Sequence, residues 1–432
     1  MRFINALGKM TGRISYSFIL GKIGLPAFMI TLFLLPFPQS WARYSLALVF
    51  LSGLILWFKA PGFLSKKIFS DWILITPFII YFILHVIYGL AEGFDFALIG
   101  KRVNYLLIPV IAYPVLRCSF RDENRQMFIM SFSLGLAVVS FFLLSRAALI
   151  GMGYLHPSPV PINSIDAFSK SSLVSALSLF QHPSYFSLEL NLGIVLLFSL
   201  PWKHRYLTLA RISMIILFLV MIILLGSRAG LLALIVSLFV LAAMAFKTKI
   251  EKTWTRLAAL ASVLMILVLV LALNPRVKNS LVRTRSVIAE NGIKGLTDIE
   301  PRSRVWSSAI ELINDKPLFG YGVNTADQKL VNEYRKRGYY QEAFFRLNCH
   351  NQFLESQLSF GIAGLVLIIW MLFLPVIRQV TAVAFPGVIF SIMLFVHQMF
   401  ESMMMRQLGI LVPVIFIVSI FSLKSGDEAL NC

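Results

Sequence analysis

Apolar runs of about twenty residues return again and again along this chain, each long enough to cross a hydrocarbon layer of about 30 Å at about 1.5 Å per residue. A segment in that layer must satisfy its backbone hydrogen bonds internally, so the fold such runs permit is a bundle of helices. They cover approximately residues 23–38, 42–58, 72–90, 103–117, 127–149, 184–201, 207–226, 229–246, 256–273, 358–377, 384–400 and 406–423, an expectation of about twelve spans. Composition agrees. Of 432 residues, 58% are hydrophobic and only 14% charged, with a mean hydropathy of +0.81, which a water-soluble domain of this length could not carry. The expected fold class is an all-α integral membrane protein.

The formal net charge of +19 would suit a nucleic-acid partner, but the placement of the basic residues accounts for it otherwise. With the N-terminus inside, Lys9, Arg13, Lys59, Lys66, Lys67, Arg121, Arg125, Lys203, Arg205, Lys247, Lys249, Arg378 and Lys424 fall in inner connections or tails. The short outer loops hold only Arg43, Lys101, Arg102, Arg146, Lys170, Arg228 and Arg406. This is the positive-inside asymmetry, so both termini are expected in the cytoplasm and no nucleic acid is expected as a partner. Phe3, Ile4, Leu7, Met10, Ile14 and Phe18 recur at helical spacing among Lys9 and Arg13, which predicts an amphipathic helix over 1–22 on the inner membrane surface. The first apolar run lacks a small-residue cleavage site and reads as a retained anchor. Cys118 and Cys432 are expected inside and Cys349 outside, which predicts no disulfide within the chain.

The chain thus divides into the amphipathic segment 1–22, nine spans over 23–273, a long polar segment 274–350 on the outer side, and three spans with a cytoplasmic tail over 351–432. The two halves are unlike, because the long loop has no counterpart in the first half, and this disfavours a duplicated transporter. A second outer loop, 150–183, holds the Pro-rich run His156 to Pro161 and the pair His182-Pro183. Within the long loop, Val305, Trp306, Ala309, Ile310 and Ile313 form one apolar stripe, the pattern of a helix lying flat at the outer surface. Pro317, Gly320 and Gly322 punctuate a tight turn, and Asp327 to Gly338 is expected to be a solvated helix. His350 is expected to start the helix that re-enters the membrane.

Three residues stand out for chemistry. Arg228 lies between two apolar runs, where a guanidinium either marks topology at a tight outer hairpin or clamps an anion at the mouth of a cavity. Arg302 and Arg304 open the flat helix before Trp306; their planar forks suit phosphate oxygens, and a pyrophosphate would satisfy both, although lipid headgroups would also be met there. His350 has polar neighbours and a helix-start position, and a neutral imidazole can accept a proton from a sugar hydroxyl; a helix-entry residue held by backbone is the alternative. His182 is a weaker candidate of the same kind. No zinc-type Cys/His spacing, P-loop, dinucleotide fingerprint or Gly-x-Ser-x-Gly occurs, so neither metal nor cofactor is expected. Acidic residues in the spans are scarce, essentially Glu189 with Glu355 and Glu401 at the interface, which counts against an ion-coupled carrier.

Four motifs occur in order: Gly226-Ser-Arg-Ala-Gly230; Arg302-Ser-Arg-Val-Trp306; Asn314-Asp-Lys-Pro-Leu-Phe-Gly-Tyr-Gly322; and His350-Asn-Gln-Phe-Leu354 followed by Gly361-Ile-Ala-Gly364. Together they resemble the O-antigen ligase and polymerase superfamily over roughly the second half of the chain. The resemblance implies a bacterial inner-membrane glycosyltransferase with its active site facing the periplasm. It would take a glycan from undecaprenyl pyrophosphate and pass it to lipid A core or to another glycan acceptor, among membrane lipids. Carried over by motif, Arg228 and Arg302 would bind the donor pyrophosphate and His350 would activate the acceptor hydroxyl, with Arg304 close enough to share the role of Arg302. Trp306, Asn351 and His182 are the further expected substrate contacts. An O-antigen ligase is the reading favoured, a polymerase the alternative, and a lipid or solute transporter the rival from another class.

Overall fold

The structure is a computed structural model that describes residues 19–59, 72–93, 96–119, 122–155, 172–200, 205–247, 301–377 and 385–421, with a few isolated positions between 282 and 289. Residues 1–18 of the expected amphipathic helix over 1–22, the expected span 256–273, most of the 274–300 stretch and the Pro-rich run at 156–161 lie outside the described residues.

Among the described residues every element is helical. The main helices are α1 Leu25–Leu34, α2 Gln39–Lys59, α3 Trp72–Ala91, α4 Tyr113–Ser119, α5 Asp122–Gly151, α6 Pro183–Phe198, α7 Arg205–Leu225, α8 Arg228–Lys247, α9 Pro301–Asp315, α10 Val323–Lys336, α11 Tyr340–Phe344, α12 Gln352–Ile377, α13 Phe385–Phe400 and α14 Gln407–Phe421. Five of these segments, Gln39–Lys59, Trp72–Ala91, Asn124–Gly151, Tyr206–Leu225 and Gln352–Val376, are long and apolar enough to cross a membrane. The run expected as one span at 103–117 is instead broken into short pieces, Asn104–Leu106, Leu107–Ile111 and Tyr113–Ser119; Pro109 and Pro114 interrupt it because each lacks an amide donor.

Side-chain placement is that of helices in lipid. On α2, Trp41, Tyr44, Leu48, Leu51 and Phe58 are exposed while Ala42, Ser45, Val49, Ser52 and Gly53 are buried. An apolar outer face over a small-residue inner one is the reverse of a helix in water, and it lets neighbouring backbones approach closely. Helix α6 is the centre: it is buried from Pro183 to Leu197 and packs against α7, α8 and α13.

Residues 301–358 build a second, smaller core from Val305, Ala309, Leu312 and Ile313 of α9, Ala326, Leu330 and Tyr334 of α10, and Cys349 and Leu358. The apolar stripe of α9 is therefore covered by protein, not by the membrane surface, and Ile310, expected within that stripe, is exposed. The solvated helix expected from Asp327 is α10, which starts earlier, at Val323, and buries one face.

This unit is joined to the bundle by an interruption in α12. Gly361 has φ 63 and ψ −154 inside an otherwise helical run, and the Pro317–Gly322 turn fills the break. Tyr321 N–H donates to the Leu358 carbonyl at 2.9 Å, Gly322 N–H to that of Ser359 at 2.8 Å, and Ile362 N–H to that of Pro317 at 3.0 Å. The turn thus satisfies the backbone groups the interruption frees. A Cβ on Gly361 would collide with the Leu318 carbonyl, so the two glycine-bearing motifs are halves of one backbone joint.

Candidate functional site

Contacts between connections show that they gather at one end of the bundle. Gln181 Nε2 donates to the Leu35 carbonyl at 3.0 Å, and the Glu92 carboxylate accepts the Asn324 and Thr325 amides at 3.1 and 2.7 Å, capping α10. Arg102, buried, donates through Nη1 to the Met404 carbonyl at 3.1 Å. The helix ends that carry the candidate residues meet here: the start of α6, the start of α8, the start of α9, the start of α12 and the exit from α13.

Glu401, the residue after α13, lies at the middle of this convergence and is buried. Its Oε2 stands 3.3 Å from His350 Nδ1, and its Oε1 stands 3.4 Å from Arg302 Nη2. Ser184 Oγ donates to the same Oε1 at 3.2 Å, and Ser227 Oγ lies 3.3 Å from Ser184 Oγ. One carboxylate therefore links the Arg302 motif, the His350 motif and, through two serines, the Gly226–Gly230 hairpin. Burial alone would push the Glu401 carboxyl up. The hydrogen bond with His350 and the positive field of His182, His350 and Arg302 outweigh it and hold the group at about 2, so it is ionised near neutrality.

His350 sits in a strained backbone position, φ 45, a conformation non-glycine residues adopt at a cost of about 1–3 kcal/mol and keep only where surroundings enforce it. Those surroundings are identifiable. Trp306 Nε1 donates to the Cys349 carbonyl at 3.0 Å, Cys349 N–H donates to Glu355 at 2.9 Å, and His350 N–H donates to Asn348 Oδ1 at 3.1 Å. Burial holds the Cys349 thiol well above its ordinary range, with Glu355 adding to the effect, so it stays an inert thiol packed in the small core. His350 precedes α12 instead of opening it. The opening is made by Asn351, whose Oδ1 accepts the Phe353 and Leu354 amides at 2.9 and 3.1 Å, the geometry of an N-cap.

The segment that carries Glu401 is itself clamped to the start of α12. Asn351 N–H donates to Ser402 Oγ at 3.2 Å and Ser402 Oγ to Glu355 at 3.2 Å. Met404 N–H donates to Gln352 Oε1 at 2.7 Å, while the Met404 carbonyl takes Arg102 and, at 3.0 Å, Tyr105 Oη. Arg102, which the charge pattern places among outer-loop topology markers, is a buried anchor of the segment next to the site.

The remaining expected site residues fall in different places. Arg302 also faces the Phe400 ring, 5.7 Å from its centroid. Arg304 points into the small core. Its Nε stands 3.0 Å from the buried Glu342 carboxylate, at ion-pair distance though not aligned for a hydrogen bond, and its guanidinium covers Tyr339 at 5.6 Å. Trp306 is turned towards the Cys349 carbonyl. His182 caps α6, accepting the Ser184 amide on Nδ1 at 3.3 Å, and contributes to the field on Glu401. Arg228 is exposed at the first turn of α8, beside Ser227. Its hairpin depends on Gly226 at φ 60 and on Gly230, where a side chain would strike Ser187.

Sequence reasoning missed Glu401, Ser184 and Ser227. The signal for Glu401 was its place at the outer end of a span in a chain with few acids there. Among the described residues no group of three or more His, Cys, Asp and Glu side chains is arranged to hold a metal ion.

Residues 212–369, from within α7 to within α12, match the family model described as O-antigen ligase. The match includes Arg228, Arg302 and His350 and stops short of Glu401. No curated protein matches the chain.

Proposed function

From a chain that carries an O-antigen ligase family domain over 212–369, we propose an inverting, metal-independent glycosyltransferase that moves a glycan from undecaprenyl pyrophosphate to a hydroxyl of lipid A core. The observation that carries this reading is the single ionised carboxylate of Glu401 placed between His350 and Arg302. In a neutral imidazole one nitrogen donates and the other accepts. With Nδ1–H turned to Glu401, Nε2 carries the lone pair and can take the proton of an acceptor hydroxyl.

The hydroxyl oxygen attacks the anomeric carbon from the face opposite the phosphate, its proton passes to His350 Nε2, and the bond from that carbon to the phosphate oxygen breaks. Undecaprenyl pyrophosphate leaves, and the configuration inverts. Charge grows on the departing phosphate and on the imidazolium at once. Arg302 and Arg228 meet the first charge, and Glu401 meets the second. Arg302 is the phosphate ligand in this reading and Arg304 a structural one, because Arg304 is committed to Glu342 at 3.0 Å, while Arg302, beside the Phe400 ring, meets Glu401 across a longer 3.4 Å contact that a phosphate can replace. Glu401 acts through His350 and is a positioning residue; Trp306 and Asn351 position the same loop, and His182 lines the carboxylate's other side.

The topology we propose has about twelve spans, with the 274–350 segment on the periplasmic side of the bacterial inner membrane and both termini in the cytoplasm. It is supported by the gathering of the connections expected outside at one end of the bundle. A lipid-linked donor would then enter laterally with its phosphates at headgroup level, where the arginines stand.

The test is transfer by the purified protein from an undecaprenyl-pyrophosphate glycan to lipid A core, with a second lipid-linked repeat supplied separately. Transfer to lipid A core is expected; transfer only to the repeat would make the protein a polymerase. Transfer to neither, or full activity in folded His350→Ala, would overturn the reading.

A further inference from the structure

We propose that the Leu318–Phe319 turn is a membrane anchor, its two side chains entering the acyl region of the leaflet on the site's side and holding the 301–350 unit at headgroup depth. Leu318 is 62% and Phe319 75% exposed, two large apolar side chains adjacent in the chain and left uncovered beside the compact core of their unit. Their position is set by the joint with α12. Gly361 stands about 5 Å inside the apolar run 358–377 at about 1.5 Å per residue, and the Pro317 carbonyl is bonded to Ile362. The turn is therefore level with the edge of the hydrocarbon layer.

The surface on either side of it is already apolar and outward-facing. Ile362, Val366 and Ile369 are exposed along α12, and Ile83, Ile87 and Leu90 along α3; each set recurs at helical spacing, as lipid-facing stripes do. Tyr88 of α3 donates its hydroxyl to the Phe319 carbonyl, so the turn closes the gap between the two stripes and continues both. Irregular backbone at such depth requires its polar groups to be met. Here the Pro317 and Phe319 carbonyls and the Gly320, Tyr321 and Gly322 amides all have partners. The neighbouring cation, Lys316, lies 5.1 Å from the Tyr321 ring centroid, an arrangement suited to an interface. Tyr340 and Phe344 are as exposed, at 73% and 78%, but they sit on α11, which packs on the charged helix α10, and are expected on the water side.

The inference rests on the membrane reading of α3 and α12 and not on the transferase reading, so either can fail without the other. It is tested in full-length protein in nanodiscs of phosphatidylethanolamine and phosphatidylglycerol. Cys118 and Cys432 are replaced by serine, buried Cys349 is kept, and a nitroxide is attached to Leu318→Cys, Phe319→Cys or Phe344→Cys. At 318 and 319 collisions with dissolved oxygen should exceed those with a water-soluble nickel chelate several-fold, and at 344 the order should reverse. A second measurement keeps the native cysteines: the added fluorescence of Phe319→Trp should be quenched by lipids brominated on the acyl chain. Labels at 318 and 319 that meet the nickel chelate more often, or meet neither reagent, or a tryptophan at 319 that brominated lipid leaves unquenched, would overturn the anchor.

Discussion

Replacing Glu401 by glutamine keeps the shape of the side chain and removes its charge, which isolates what the carboxylate does for His350. The carboxylate can only accept, so it selects the tautomer with the proton on Nδ1, across the 3.3 Å contact. An amide can instead donate to Nδ1, moving the ring proton to Nε2 and abolishing the base. Loss of a charge-assisted hydrogen bond costs about 1.5–3 kcal/mol, or roughly 10- to 160-fold in rate; reversal of a catalytic imidazole's tautomer has cost up to about 10⁴-fold in a serine protease. We expect kcat for glycan transfer to fall by at least about 100-fold, with KM for the lipid-linked donor changing far less. The diagnostic comparison is with Glu401→Ala. Because the defect is a wrong donor and not a hole, glutamine should be no milder than alanine, although it is the closer replacement. Steady-state transfer by the three purified proteins at pH 7 decides it, and a Glu401→Gln enzyme within about threefold of the parent would refute the argument from the tautomer.

Glu401 should also stabilise the fold. Its carboxyl is held at about 2 against an ordinary 4.5, a depressed value, so the contribution is present above pH 4.5 and lost as the pH falls through 2; at pH 5 the parent should unfold at a higher temperature than Glu401→Gln, the difference should vanish as the pH falls towards 2, and no separation at pH 5 would contradict it. Arg302→Met should abolish transfer and cost less stability than Arg304→Met, because Glu401 keeps His350 and Ser184 as partners, whereas Arg304→Met should lower stability by about 3 kcal/mol by stranding the buried Glu342 carboxylate, with recovery in the double variant Arg304→Met/Glu342→Gln. Equal effects of the two arginines on stability would count against their separate roles. Trp306→Phe removes one hydrogen bond to the Cys349 carbonyl and should cost about 1 kcal/mol while lowering kcat more than it raises KM. Gly361→Ala should cost about 3 kcal/mol or more, since it combines a strained φ with a collision; limited proteolysis should then cut within 301–350, and an uncut, fully active variant would show that the joint with the Pro317–Gly322 turn is dispensable.

What was legible in the sequence and what was not divides along the range of the interactions. Helices α2, α3, α5, α7 and α12 follow from runs of apolar residues, because a span is specified by its own composition. Prolines mark the break at 103–117 only once the length of the uninterrupted pieces is known. The roles of the arginines depended on partners distant in the chain. Arg302 and Arg304 are two residues apart with the same chemistry, yet one faces Glu401, 99 residues away, and the other faces Glu342. No local pattern distinguishes them. His350 was visible as a polar residue before a span, but not the strain at φ 45 that makes its placement a constraint, since that conformation arises from Trp306, Asn348 and Glu355 acting together.

Glu401 is the instructive omission. Taken with Glu189 and Glu355 as one of few acids near the bilayer, it bears on ion coupling and, by their scarcity, argues against it. In the fold its surroundings have a different effect: a carboxylate set among His182, His350 and Arg302 stays ionised, whereas Glu355, joined to the same segment through Ser402, is met by the neutral Cys349 amide and Ser402 hydroxyl. The scarcity of acids that speaks against a transporter is thus the same property that lets one of them orient a base beside an arginine. A chain with more carboxylates at this end would weaken both the cationic site for a pyrophosphate and the unambiguous proton on His350 Nδ1.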